Sequence, residues 1–282
     1  MRVALITGSS RGIGAASAVA LARRGFHVCL TARCEERLAE VAEQINRAVG
    51  PDRVLVAPGD VAKPDDRDRA LAKVRETWDH VDVLVNNAGS ARPGVVEDLD
   101  LSGVQQLFAV NTFGYLAWMK MLLPAMRRRG TGRIVNISSV SGLMSFPGLS
   151  AYAATKFAVE AISDAARREY GPWGVKVILV EPGPVTTGIW EAAESQVASN
   201  QEAWMKGPFR RLYKQLMAHS QHLRAGHGAS PEIVARAVCR AATAARPKAR
   251  YAPTWDARIT SILRHLPDTV QDWLVSWLTP VR

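Results

Sequence analysis

Short apolar segments rich in β-branched residues alternate with helical segments along the chain, and this alternation constrains the fold most. The first two helical segments, 12–24 and 35–49, end at Gly25 and at Gly50-Pro51, which are ordinary helix stops. Strands that alternate with helices pair in parallel, because each connection must cross back over the sheet. The sequence therefore predicts an α/β fold with a doubly wound, mostly parallel sheet flanked by helices, whose strands lie at 2–7, 27–32, 53–57, 81–85, 133–138 and 175–180.

The pattern changes after residue 187. We expect one domain over 1–282, made of a core (1–187), a helical substrate lid (188–230) and C-terminal helices (231–282). A helix is predicted at 231–246 and an edge strand at 250–252. The lid carries apolar side chains that either line a substrate pocket or pack against the body: Trp190, Trp204, Phe209, Leu212, Tyr213, Leu216 and Met217.

Composition excludes several classes of function. Three scattered cysteines, Cys29, Cys34 and Cys239, form neither a disulfide framework nor a zinc site, so we expect a reducing compartment and no bound metal. No signal segment precedes the first strand, which favours a cytoplasmic location. The net charge is +10, but the basic residues are spread along the chain, and the longest run, 127–129, ends a helix, where cations suit the dipole. We therefore expect no nucleic-acid partner.

A glycine-rich turn directly follows the first predicted strand and opens a helix. Glycine lets the backbone approach a pyrophosphate, whose charge is favoured at a helix N-terminus. The spacing is G-x-x-x-G-x-G, and a turn needed only for packing is the alternative. As cofactor-binding residues the turn supplies Gly8, Ser10, Arg11, Gly12, Ile13 and Gly14.

The second predicted strand ends at Ala32-Arg33, where NAD-binding proteins usually have an acidic residue for the ribose hydroxyls. The guanidinium of Arg33, with that of Arg11, could instead bind a 2′-phosphate through charge-assisted hydrogen bonds. The sequence thus predicts NADP(H) in preference to NAD(H). The alternative is that Arg33 is merely solvated.

Small and polar residues follow the third and fourth strands, at the sheet edge where a dinucleotide would lie. Asp60 can accept a hydrogen bond from the adenine amine, and Gly89 leaves backbone room beside a ribose. Asn86 and Asn87 could equally tie adjacent strands together. The cofactor-binding candidates here are Asp60, Val61, Asn87, Ala88 and Gly89.

The sharpest constellation is Ser139 followed by Tyr152 and Lys156. Residues i and i+4 share one helix face about 5–6 Å apart at Cβ, so the ammonium of Lys156 can favour the Tyr152 phenolate. At ~6 Å and an effective dielectric constant of ~20, a unit charge contributes ~2.8 kcal/mol, or roughly two pKa units. We therefore expect the lysine alone nearly to suffice for lowering the phenol pKa towards neutrality.

Together, the glycine motif, Asn86-Asn87-Ala88-Gly89, Ser139, Tyr152-x-x-x-Lys156 and Pro182-Gly183-Pro184-Val185 resemble the short-chain dehydrogenase/reductase family in order and spacing, over residues 1–187. The resemblance implies a Rossmann fold and a catalytic tetrad of Asn111, Ser139, Tyr152 and Lys156. In that family the serine holds the substrate oxygen and the tyrosine transfers its proton. The lysine lowers the tyrosine pKa and binds the nicotinamide ribose, and Tyr152 and Lys156 thus also count as cofactor contacts.

Two assignments within this resemblance have alternatives. Ser139 matches because it stands thirteen residues before Tyr152, and Ser138 and Ser141 rank lower. The family's asparagine holds a water that links the lysine to solvent, whereas Asn111 by its sequence could equally be a helix-bending polar residue. The segment after the sixth strand contacts the nicotinamide carboxamide in the family, which implies roles for Pro182, Gly183, Val185 and Thr187.

The segment 143–149 and the lid are rich in apolar residues, which predicts an apolar substrate pocket. The closest resemblance is to the hydroxysteroid and retinol dehydrogenase-like branch. It implies an NADP(H)-dependent oxidoreductase that interconverts a carbonyl and an alcohol on a lipophilic small molecule. The alternative from another class is a catalytically silent dinucleotide-binding sensor or scaffold protein.

The C-terminal tail predicts two amphipathic helices on either side of Pro267, with Arg258, Arg264 and Arg282 nearby. They could lie on a membrane surface as a peripheral contact, or pack against the body or a second subunit. The family commonly assembles through long helices, which here include 101–129 and 150–169, so the resemblance implies a homodimer or homotetramer. The apolar positions of the tail are Ile259, Ile262, Leu263, Leu266, Val270, Trp273, Leu274, Trp277 and Leu278.

Overall fold

A computed structural model describes residues 1–187, 202 and 204–279. Within these residues seven strands form one sheet in the order β3-β2-β1-β4-β5-β6-β7, and every neighbouring pair is parallel. This confirms the doubly wound α/β fold. The strands are β1 (Arg2–Thr7), β2 (Phe26–Thr31), β3 (Val54–Val56), β4 (Val83–Asn86), β5 (Gly132–Ile137), β6 (Val175–Val180) and β7 (Arg250–Tyr251).

Helices connect successive strands and cover the sheet. Most strand residues are buried, as expected where helices lie on both faces. In chain order the helices are α1 (Gly12–Arg23), α2 (Glu35–Val49), α3 (Pro64–Trp78), α4 (Leu101–Phe108), α5 (Gly114–Arg129), α6 (Ser150–Tyr170), α7 (Arg210–His222), α8 (Pro231–Thr243), α9 (Trp255–Leu263) and α10 (Asp268–Leu278).

Two apolar layers follow from the period of two along each strand. In β1, Ala4 and Ile6 point to the face covered by α1, α2 and α8. Val3 and Leu5 point to the opposite face, where α3, α5 and α6 pack. The sheet therefore separates the core into two apolar layers. The carboxyl ends of the strands lie outside both layers.

The strand order reverses beside β1, because β2 and β3 lie on one side of it and β4 to β7 on the other. Loops that leave the carboxyl ends of β1 and β4 therefore diverge and leave a crevice between them. The loop after β1 is held to the end of β2, since the backbone N–H of Gly8 donates to the carbonyl of Thr31 at 2.8 Å.

Several predicted bounds need correction. The strands shift by one or two residues at their ends, and the helix predicted at 231–246 ends at Thr243. The helix predicted over 101–129 is interrupted by a π-helical turn, Ala109–Phe113. Hydrophobic periodicity does not reveal such a turn, because one extra residue shifts the apolar face only slightly.

The end of the chain returns to the sheet. β7 pairs with β6 through Leu179 opposite Arg250 and Val180 opposite Tyr251, as the predicted edge strand requires. The two predicted C-terminal helices are α9 and α10. Among the residues that the structure describes, no helix combines the length and the apolar character needed to cross a bilayer.

Candidate active site

A cavity of about 1270 Å³ opens at the carboxyl ends of the strands, where the strand order reverses. It brings together all but two of the residues predicted for cofactor binding and catalysis, and the exceptions are Gly14 and Asn111. The predicted residues that line it are Gly8, Ser10, Arg11, Gly12, Ile13, Arg33, Asp60, Val61, Asn87, Ala88, Gly89, Ser139, Tyr152, Lys156, Pro182, Gly183, Val185 and Thr187.

The glycine turn presents the start of α1 to this cavity. Gly8 and Gly12 have φ of +64° and +56°, which side chains disfavour, so the turn depends on glycine there. Helix α1 begins at Gly12 with no acidic residue in its first turn, and its terminal N–H groups can bind an anion. A dinucleotide pyrophosphate therefore fits this end of the cavity.

Gly14 is closely packed and does not line the cavity. A Cβ on Gly14 would lie 2.3 Å from the carbonyl oxygen of Gly8 and 2.5 Å from Nδ2 of Asn87. The alternative considered for the glycine motif, a turn needed for packing, thus holds at this one position. Only glycine allows α1 to approach the turn so closely.

The asparagines after β4 tie elements together. Nδ2 of Asn86 donates to Oδ1 of Asn136 at 2.9 Å, which links β4 to β5. Nδ2 of Asn87 donates to the carbonyl oxygens of Thr7 and Gly8, at 2.9 and 3.0 Å, and Asn87 also lines the cavity. Asn86 therefore ties strands together, as the structural alternative predicts, and Asn87 ties the loop after β4 to the end of β1 while also lining the cavity.

Three arginines line the cavity where β2 ends. Arg11 and Arg33 were predicted, whereas Arg37, in the first turn of α2, was missed. The sequence signal for Arg37 is its closeness to Arg33, since Arg33 lies just before the start of α2 and Arg37 lies in its first turn. Asp60 lies nearby, and its carboxylate accepts from the backbone N–H of Ala62 at 2.9 Å.

Ser139, Tyr152 and Lys156 meet in the middle of the cavity wall, and each is at least nine-tenths buried. Ser139 follows β5, while Tyr152 and Lys156 share one face of α6. Nζ of Lys156 lies 5.8 Å from the centre of the Tyr152 ring and donates to the carbonyl of Ile137 at 2.9 Å. The two side chains therefore share one helix face, as the i, i+4 spacing predicts.

The expected effect of Lys156 on the phenol needs correction. Burial raises the pKa of Tyr152 to about 12, although the neighbouring Ser139 hydroxyl lowers it. Burial lowers the pKa of Lys156 to about 8, against the Glu160 carboxylate, which raises it. The amine loses its proton well before the phenol ionises, so it then carries no charge to stabilise a phenolate. Desolvation outweighs the single charge on which the estimate rested.

Asn111 lies within the π-helical turn, fully buried, and does not line the cavity. Its Oδ1 accepts from the N–H of Ser90 at 3.0 Å, and its Nδ2 donates to the Ser90 carbonyl and to Oγ1 of Thr155. The side chain thus joins the irregular helical turn to the loop after β4 and to α6. This arrangement matches the alternative of a helix-shaping polar residue.

The far side of the cavity contains many apolar side chains, together with polar ones such as Arg92, Gln215 and His219. Phe146, Pro147 and Leu149 contribute from the loop before α6. From the predicted lid, the rings of Trp204 and Tyr213 stack 4.1 Å apart. Lid residues both line the cavity and pack on the body, so the two alternatives hold together. Those that line it are Trp204, Leu212, Tyr213, Leu216 and Met217, while Phe209 only packs, and Trp190 lies outside the described residues.

The C-terminal segment closes one end of the cavity, which the sequence did not reveal. Oγ1 of Thr254 accepts from the backbone N–H of Gly183 at 3.0 Å. Asp256 and Thr260 of α9 line the cavity beside it. No local pattern links these residues to Gly183, because the contact spans 71 positions and depends on how β7 joins the sheet.

Comparisons with known proteins agree on one family. A family model described as short chain dehydrogenase matches residues 2–198. The uncharacterized oxidoreductase YbbO of Escherichia coli K12 is 37% identical over 270 residues, covering 95% of this chain and 91% of that protein. A short-chain dehydrogenase structure from Streptomyces avermitilis has a TM-score of 0.77 at 32% identity, covering 98% of this chain and 96% of the other.

A second structure bears on the cofactor. A short-chain dehydrogenase from Sphingobium yanoikuyae in complex with NADPH has a TM-score of 0.73 at 27% identity, covering 98% of this chain and 96% of the other.

Proposed function

The chain belongs to the short-chain dehydrogenase/reductase family of oxidoreductases, and from this premise we propose that it interconverts a carbonyl and an alcohol using NADP(H). The observation that carries the proposal is that Ser139, Tyr152 and Lys156 lie between a basic, glycine-lined half and a half rich in apolar side chains of one cavity. A nicotinamide nucleotide and a small molecule could therefore meet at the phenol.

The proposed chemistry assigns each residue one task. When bound beside Ser139, Tyr152 and Lys156, NADPH would supply the hydride for reduction of a carbonyl. The Ser139 hydroxyl donates a hydrogen bond to the substrate oxygen, and Oη of Tyr152 gives its proton to that oxygen as charge develops there. Because the pKa of Tyr152 is raised to about 12, the phenol holds its proton at neutral pH, as a proton donor in reduction must.

The remaining tasks concern orientation. Lys156 is proposed to hold the nicotinamide ribose, and Pro182, Gly183, Val185 and Thr187 to orient the nicotinamide carboxamide. Asn111 is proposed to act by fixing Ser90 and Thr155 around the site, in keeping with its three hydrogen bonds. Hydride transfer needs reacting atoms about 3–3.5 Å apart, so these supports matter for the rate.

The preference for NADP(H) is proposed from charge. Arg11, Arg33 and Arg37 line the adenosine end of the cavity and could bind a 2′-phosphate, and one structural relative was solved with NADPH. Fluorescence titration should give a Kd for NADPH at least about tenfold below that for NADH. Equal affinities would contradict the preference.

The substrate is proposed to be lipophilic, in the manner of steroids, retinoids or aromatic carbonyls, because many apolar side chains line the far half of the cavity. A panel of steroid, retinoid, aromatic and short aliphatic carbonyls, assayed with NADPH, tests this. Turnover of bulky apolar carbonyls with the highest kcat/KM is the expected result. Turnover restricted to small hydrophilic sugars would overturn it.

A silent sensor or scaffold remains the alternative from another class. Tyr152→Phe separates the two, since it removes one hydroxyl and leaves the cavity shape unchanged. Under our proposal the variant binds NADPH but does not reduce a carbonyl. If the unaltered protein reduced no carbonyl and yet bound a partner only with NADPH present, the scaffold would be the better account.

Two surfaces extend the proposal. Exposed apolar side chains at Phe113, Leu116 and Phe157 fit a homo-oligomer built on the helices of 101–129 and 150–169. On α9 and α10, exposed Trp255 and Trp273 fit a peripheral membrane contact of a cytoplasmic protein. Light scattering should give the mass of a dimer or tetramer, and flotation with anionic liposomes should weaken in Trp273→Ser. A monomeric mass would contradict the proposed homo-oligomer. Flotation that Trp273→Ser leaves unaffected would contradict the proposed membrane contact.

A further inference from the structure

Behind Lys156 lies a buried acidic cluster that the proposed chemistry does not use. Glu160 stands one helical turn after Lys156 on α6 and is 7% exposed. Glu181 follows β6 directly, immediately before the nicotinamide segment, and is 1% exposed. Two carboxyl groups buried side by side repel each other, so such an arrangement persists only where other groups compensate.

Arg250 of β7 supplies most of the compensation. Its guanidinium contacts Glu160 at 3.1 Å, Glu181 at 3.0 Å and Asp164, one turn further along α6, at 2.9 Å. Arg264, after α9, also lowers the pKa of both buried glutamates. The edge strand of the sheet is thereby joined by ion pairs to the helix that carries the catalytic pair.

The pKa values of Glu160 and Glu181 depend on each other and on the groups around them. Burial raises the pKa of Glu181 to about 7, with Glu160 as the next largest cause. Burial also raises the pKa of Glu160, while the Ser138 hydroxyl and Arg250 lower it.

Apart from Glu160, few of the described groups around Lys156 can stabilise the positive charge of its ammonium group. The ring of Tyr115, from α5, lies 5.3 Å from its Nζ, Tyr152 lies on its own helix, and β5 offers the carbonyl of Ile137. Tyr115 and Tyr152 are both neutral near pH 7, because burial raises the pKa of each. Glu160 is thus the full negative charge that raises the pKa of the buried lysine.

We propose that Glu160 is a positioning residue that keeps Lys156, one helical turn earlier on α6, in its ammonium form, with Arg250 holding the Glu160 carboxylate in place. The proposal rests on the proposed function, in which a charged Lys156 binds the ribose. Without the carboxylate, the pKa of Lys156 would fall further, and a smaller fraction of the amine would carry a charge at physiological pH.

The charge on Lys156 can be followed directly, without cofactor or substrate. Protein labelled with ¹³Cε-lysine is titrated by NMR, and the Lys156 signal is identified by its absence in Lys156→Arg. The expected pKa of Lys156 is about 8 in the unaltered protein. In Glu160→Gln it should fall by about one unit.

Asp164→Asn is the matched control, because Asp164 shares Arg250 and the same helix but is one turn more distant from Lys156. It should leave the Lys156 titration unchanged, and Glu160→Asp, which keeps the charge, should restore most of the shift. Equal shifts in Glu160→Gln and Asp164→Asn would overturn the proposal, since loosening Arg250 would then explain both. So would an unshifted titration in Glu160→Gln.

If Glu160→Gln does not fold, the NMR titration of Lys156 in the unaltered protein still tests the proposal. Its Lys156 signal should show a second, smaller inflection at the pH where the carboxyl pair titrates, and a single inflection would contradict the proposal. In a carbonyl assay, the fall of kcat/KM at high pH should move down in Glu160→Gln with the pKa of Lys156. A shifted NMR titration in a protein that reduces no carbonyl would uphold the role of Glu160 and overturn the proposed function instead.

Discussion

The two halves of the cavity are built in different ways. The nucleotide half consists mainly of short segments that follow β1, β2, β3, β4 and β6, so most of its contact residues stand close in sequence to the strand that places them. The substrate half combines the segment 90–100, the loop before α6, helix α7 and helix α9, which are distant in sequence. The first half is encoded locally, whereas the second exists only when remote elements pack together.

The halves also differ in their chemistry. Three arginines and the glycine turn line the nucleotide half, while the substrate half mixes aromatic and aliphatic side chains with polar ones such as Arg92 and His219. Ser139, Tyr152 and Lys156 lie at the border on rigid elements, the end of β5 and the face of α6. Substitutions should therefore affect cofactor binding, chemistry or substrate binding separately, according to where they fall.

The border should be the most sensitive region. Tyr152→Phe removes the proposed proton donor, and we expect kcat to fall by about 100-fold or more, with the Kd for NADPH nearly unchanged. Steady-state kinetics and fluorescence titration measure the two quantities. A variant that retained most of its activity would show that another group donates the proton.

Substitutions in the nucleotide half should have the next largest effect. In Arg33→Ala the Kd for NADPH should rise by about tenfold or more, because charge-assisted hydrogen bonds to a phosphate are lost, while the Kd for NADH stays the same. Arg47→Ala is the matched control, since Arg47 is an exposed arginine of α2, the helix that follows Arg33, and lies outside the cavity lining. Equal losses for both nucleotides would mean that Arg33 does not contact a 2′-phosphate.

Substitutions in the substrate half should have the smallest effect. Oη of Tyr213 accepts from the N–H of Val95 at 3.1 Å and donates to Asp98, which fastens α7 to the segment after β4. Tyr213→Phe should lower Tm by about 2–4 °C and raise KM for the carbonyl about fivefold, because a buried N–H loses its partner. If the Kd for NADPH rose instead, α7 would belong to the nucleotide half.

The same contrast explains what the sequence could predict. The strands, the glycine turn and the Tyr152–Lys156 spacing follow from local patterns, and the structure has them as expected. The packing role of Gly14, the π-helical turn around Asn111 and the approach of Asp256 to Gly183 depend on contacts between remote segments. The pKa of Tyr152 could not be predicted from spacing, because the cost of burial is set by the whole fold.

The central claim is that Tyr152 protonates the substrate oxygen while hydride reaches the carbon. The most direct measurement follows deuterium from NADPH labelled at nicotinamide C4 to an accepted carbonyl, with the product examined by mass spectrometry. We predict one deuterium on the carbinol carbon, formed at least about 100 times more slowly by Tyr152→Phe. Product without deuterium, or transfer at an undiminished rate in that variant, would contradict the account.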